Sequence, residues 1–228
     1  MNVNLKHLCI VCFLLPLFTI ITSFIWSANL NLINWCIPNF EGCTSISRVG
    51  RYEPVVYFFK PLMFIYTIFL GLFWNKFYEL YKTNKIEISK FNLVIAYLAI
   101  LFLILYIIFL GEGKLYKFFR QIGIFIYIFF TVLTQIFFSR RLQKLACFRN
   151  KVGNLVFYYS LSIGVIGIIF FPFMITKIID IPNFKNIVSW NYFLLIQIYF
   201  LIIFFGLKKN YDMIQPPPKT FSPILSFE

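Results

Sequence analysis

A polytopic, all-α membrane bundle of six transmembrane helices with both termini in the cytoplasm is the fold this sequence predicts, on three observations. Hydrophobic residues make up 61% of the 228 positions and charged residues 13%, against about 45–50% and about 25% in an ordinary soluble domain. The apolar residues gather into blocks of roughly 17–22, the length a helix needs to cross a hydrocarbon core. Lysine and arginine concentrate in alternate loops between those blocks, as the positive-inside rule requires.

The blocks predict spans at about 8–26, 55–74, 91–110, 122–138, 155–175 and 190–207. The first is read as a retained helix rather than a signal peptide: it is long for an h-region, and Ile25 and Trp26 stand where small residues would mark a cleavage site. A polar loop over 27–54 follows, the longest between spans, with Pro38, Gly42, Gly50 and Pro54 as turn formers. Lys60 and Pro61 fall in the first turns of the second block, where proline is tolerated and lysine can reach the interface. Three consecutive prolines, Pro216 to Pro218, predict an extended tail over 208–228.

Orientation comes from the cations. With the N-terminus inside, thirteen lysines and arginines lie on the inner side, five of them in the loop 139–151. The outer side holds eight: Arg48, Arg51, Lys60, Lys114, Lys117, Arg120, Lys177 and Lys185. The net charge of +13 therefore reads as topology and contact with anionic lipid, not as a nucleic-acid footprint. Of five cysteines, Cys9 and Cys12 sit in the first apolar block as packing residues and Cys147 in the basic loop. Cys36 and Cys43 share the outer loop, where disulfides persist. Pro38 and Gly42 between them permit a turn, so a Cys36–Cys43 bridge is expected; two free thiols that merely pack are the alternative.

Catalytic constellations are absent from the sequence. His7 is the sole histidine, there is no zinc-ligand spacing, and no glycine-rich phosphate loop of the Walker type occurs. An enzyme is not expected, nor a cofactor. The polar residues inside the blocks include Thr131, Thr134, Gln135, Ser160, Ser162 and Gln197. Each is read as an interhelical hydrogen-bond partner. Charges at the outer face are the candidate site. Arg48, Arg51 and Lys60, with Arg120 across the bundle, have the donors to hold a phosphate, arginine through paired N–H groups and lysine as a point charge. Glu53 and Glu112 would orient them, Glu112 standing between two glycines in a Gly111-Glu112-Gly113 turn. Glu112 and Arg120 share a helical side if the fourth helix starts early, near Lys114. Taken singly, each of these charges also suits an interfacial anchor or a solvated loop.

The segment GCTSISRVGRYEPVVYFFK resembles the first outer loop of the Frag1/DRAM/Sfk1 family, through Ile46, Ser47, Gly50 and Phe58, with Pro54 one residue later than the family pattern. GEGKLYKFFRQIGIFIYIFFTVLTQIFFSRRL is similar to that family's third outer turn and fourth span, with Arg120 near a position where the family often has histidine and Gly123 as the small residue that follows. Ser189-Trp190 stands where the family often has Glu-Trp, which makes Trp190 an interface anchor at the head of the last span. The resemblance is greatest to a bacterial six-span branch with C-x-P and E-G-C-T-S-I-S motifs. It implies a place in the bacterial inner membrane with periplasmic or extracellular outer loops. It also implies a role in lipid biology, since eukaryotic members are linked to GPI-anchor remodelling, phospholipid asymmetry and autophagy. The functional expectation is a protein that binds or organises membrane lipid. An accessory subunit that joins other membrane subunits and a small-solute transporter are the alternatives.

Overall fold

Eight α-helices and one 3-10 turn make up the described chain. A computed structural model describes residues 4–145, 148, 150–175 and 183–207. Cys147, Lys177, Asp180 and the tail 208–228 lie outside them. The long helices are α1 (Leu5–Asn29), α4 (Val56–Thr83), α5 (Lys90–Ile108), α6 (Lys114–Ser139), α7 (Asn150–Ile175) and α8 (Phe184–Gly206); the one-turn helices α2 (Pro38–Glu41) and α3 (Ile46–Val49) lie between α1 and α4. Six helices are long and apolar enough to cross a membrane.

The helices outrun their apolar blocks. α4 continues nine residues past Trp74, through a stretch that reads as loop, because Phe77, Leu80 and Tyr81 recur at helical spacing and are buried. It stops where Asn84 donates from Nδ2 to Leu80 O and Lys85 turns to φ 56°. Asn4 caps α1 by accepting from Lys6 N, and Ser89 caps α5 by accepting from Phe91 N. α6 begins eight residues before the predicted span and α8 six.

The six long helices close a ring in chain order, each packed on the next, with α8 returning to α1. Aromatic side chains fill the middle. Phe73, Trp74 and Phe77 of α4 meet Phe138 of α6 and Phe200 of α8, with Phe77 and Phe138 stacked at 5.6 Å. Since lipid tails are as apolar as these rings, close packing and buried hydrogen bonds hold such a ring more than exclusion of water does. The start of α1 and the end of α8 share one end of the bundle, where Phe148 bridges Leu207 and Tyr81 donates to Phe138 O. The opposite, loop end carries residues 30–55 and 109–113.

At the loop end the segment 30–55 is tied down at several points. Cys36 and Cys43 form a disulfide with Cα atoms 6.4 Å apart. Trp190, 6% exposed, donates from Nε1 to Thr44 O at 2.9 Å and sits edge-on to Phe24. It therefore faces inward and fastens the loop to α8, since its N–H finds an acceptor there. Asn186 donates to Gly42 O at 2.7 Å and Asn191 to Asn39 O at 2.8 Å. Gly42 has φ 61°, and a Cβ there would lie 2.5 Å from Asn183 O, so only glycine permits both the turn and this approach to α8.

Candidate functional site

The α5–α6 turn builds one wall of an open cleft at the loop end. After Ile108 the chain leaves the helix through Phe109 and Leu110, and Gly113 takes φ 109°, ψ 161°, a backbone region closed to residues with a Cβ. α6 then starts at Lys114 with no side-chain cap, so the first-turn N–H groups, the positive end of a 26-residue helix, are left for another acceptor. Early initiation has a second consequence. Lys114, Lys117 and Arg120 follow one another every three residues along the same side of the first two turns.

The facing wall comes from the segment between α3 and α4. Ser27 of α1 donates to Val49 O at 2.8 Å, and buried Gly50 packs on the ring of Phe59. These contacts fix the corner from which Arg51 projects. A cleft of about 310 Å³ is lined by Arg51, Gly111, Glu112, Gly113, Lys114, Lys117 and Arg120. Four cations thus face one carboxylate, a local excess of three positive charges. Among the described residues Glu112 forms no salt bridge with any of them.

The two arginines differ in how they are held. Arg120 is 6% exposed and donates from Nη1 to Gly111 O at 2.7 Å. That bond uses one of five N–H donors and locks the side chain over the turn. The Nε of Arg51 is buried with no partner in the protein. A buried guanidinium donor without an acceptor is costly.

The predicted site is thereby divided. Arg51, Glu112 and Arg120 come together in the cleft. Arg48 is exposed on α3, outside it. Glu53 is exposed and accepts from the Tyr57 hydroxyl at 2.7 Å. Lys60 donates to Ile108 O at 3.3 Å, where it meets the carbonyl end of α5. Lys114 and Lys117 line the cleft although sequence reasoning counted them only as loop charges. The signal that could have found them is their three-residue register with Arg120, which emerges once α6 is allowed to begin at Lys114.

Six spanning helices around an aromatic core, with polar loops gathered at the ends, define an all-α, multi-pass integral membrane protein. No protein-family profile, curated protein or solved structure matches this chain.

Proposed function

We propose that the protein binds a lipid phosphate in the cleft between Arg51 and the start of α6, on the outer leaflet of the membrane. The observation that carries this reading is the convergence of Arg51, Lys114, Lys117 and Arg120 on the uncapped N-terminus of α6. Helix N-termini and arginine forks are both complementary to phosphate oxygens. The excess of three positive charges favours a phosphomonoester, which carries about −1.5 to −2 at neutral pH, over a phosphodiester with a single charge. Glu112 on the rim is placed to accept from head-group hydroxyls. The outer-leaflet assignment rests on the bias of lysine and arginine toward the other side. The cleft's position at the rim of an apolar ring favours a ligand whose acyl chains lie along that ring. Membership of the Frag1/DRAM/Sfk1 family and a bacterial inner-membrane location fit this reading and are proposed with it.

Binding of short-chain lipids to the detergent-solubilised chain tests it. Dihexanoyl phosphatidic acid is expected to bind at least tenfold more tightly than dihexanoyl phosphatidylcholine. In Lys114→Gln/Lys117→Gln the affinity for the phosphatidic acid should fall by about thirtyfold, from about 1 kcal/mol for each lysine near the head-group layer. Equal affinity for the two lipids would overturn the reading. Inorganic phosphate binding as tightly as the phosphatidic acid would assign the cleft to a free anion instead.

A further inference from the structure

Below Arg120 the buried face of α6 stays polar for the depth of the bundle. Tyr127, Thr131, Gln135 and Ser139 follow at four-residue intervals, and all are buried. A helix in lipid normally turns such a stripe toward partners that satisfy it, because nothing in hydrocarbon can. Two parts of the stripe are satisfied. At its lower end Ser139 Oγ lies 3.2 Å from both Ser160 Oγ and the Tyr199 hydroxyl. At its upper end the hydroxyls of Tyr127 and Tyr66 are 3.5 Å apart.

The middle is not satisfied. Gln135 donates from Nε2 to Ile196 O at 3.2 Å, which sets it against α8 beside Gln197, but its Oε1 has no protein partner. Gln197 is 0% exposed and neither atom of its amide is hydrogen-bonded, and the Thr131 hydroxyl is also unpaired. Gln197 lies beside the Tyr66 hydroxyl and Thr131 beside that of Tyr127. Four unpaired polar atoms on three side chains, all fully or almost fully buried, therefore collect at the α6–α8 seam next to a tyrosine pair. They include a donor and several acceptors, and every group is an amide or a hydroxyl. Such a set solvates a small neutral guest that both donates and accepts. Successive residues of the stripe rise about 6 Å per four-residue step, which is about the span of two hydrogen bonds in series.

We propose that water is bound inside the bundle at the α6–α8 seam, held by Thr131, Gln135 and Gln197 and bridging them to the Tyr66–Tyr127 pair. This is a hydration site at membrane depth, separate from the phosphate cleft and independent of it. A buried water with two to four polar partners belongs to the structure, and here it supplies partners to the amide and hydroxyl atoms that have none in the protein.

Radiolytic footprinting of the full chain in lipid nanodiscs tests the proposal, with water as the probe. A millisecond X-ray pulse makes hydroxyl radicals from bound water, and mass spectrometry reads the oxidation rate residue by residue. Tyr66 and Tyr127 should oxidise at least tenfold faster than Phe73 and Phe77, which are equally buried among apolar neighbours. Gln197→Leu should bring Tyr66 down to the phenylalanine rate, and the near-isosteric Thr131→Val should do so for Tyr127. Tyrosine rates in the wild type no higher than those of Phe73 and Phe77 would overturn the proposal without recourse to any variant. Rates unchanged in Thr131→Val would overturn the assignment of water to this seam.

Discussion

Arg120 is held by a single carbonyl, that of Gly111, and the worth of that contact decides how the cleft responds to substitution. Arg120→Lys keeps the charge but loses the planar fork, so a lipid phosphate should bind about tenfold more weakly while the fold persists. Arg120→Ala also leaves Gly111 O without its donor and should lower thermal stability as well as binding. Arg48→Ala, outside the cleft, should leave phosphate affinity within twofold. Affinity measurements on these three variants therefore separate a specific guanidinium site from a diffuse positive surface. Trp190 makes a different residue-scale prediction. Trp190→Phe keeps the ring against Phe24 but orphans Thr44 O, which is inside the structure. A loss of about 1–2 kcal/mol is expected, read as a Tm lower by about 3–6 °C in detergent.

At the scale of elements, the apolar blocks located all six spanning helices but misplaced their ends. A span is recognised by a window of apolar residues, and a window is blind to the amphipathic turns that carry a helix beyond the bilayer. Lys114 to Gln121 reads as loop for that reason, yet Gly113 ends one backbone path and α6 starts there. The cleft depends on that start, so two of its cations were legible only as counted charges. Arg51 and Arg120 were legible as ionisable groups near the span ends, where charge is costly, but on the same ground as Arg48 and Lys60, which stand outside the cleft. Their meeting was not, because it depends on the corner that Ser27 and Phe59 fix through Val49 and Gly50. The Cys36–Cys43 bridge was legible, since Pro38 and Gly42 permit the turn that closes it, but the loop's ties to α8 through Trp190, Asn186 and Asn191 were not. Opening it by Cys36→Ser/Cys43→Ser should cost about 2–3 kcal/mol by the loop-closure estimate. The same Tm shift should appear when the wild type is reduced, and none in the double variant.

For the whole molecule, six helices place Leu5 and Leu207 on one side of the bundle and the cleft on the other. The ring order, in which α8 closes onto α1, was not legible. Helix pairing in lipid is set by shape and by scattered hydrogen bonds such as Ser139 with Tyr199, and no one-dimensional pattern announces it. Orientation remains a matter of charge, and it makes a direct prediction. Single cysteines introduced at Arg48 and at Gln143, with Cys9, Cys12, Cys36, Cys43 and Cys147 replaced by serine, should label oppositely. A membrane-impermeant maleimide added to intact cells should reach Arg48→Cys at once and Gln143→Cys only after permeabilisation.

Native mass spectrometry of the chain released from its own membrane tests the central claim, a phosphate site at the mouth of α6, most directly. The wild type should retain a phospholipid through detergent exchange, and Lys114→Gln/Lys117→Gln should lose it, while Arg48→Ala and Lys60→Ala keep it. Equal retention in the double lysine variant and the wild type would contradict the account.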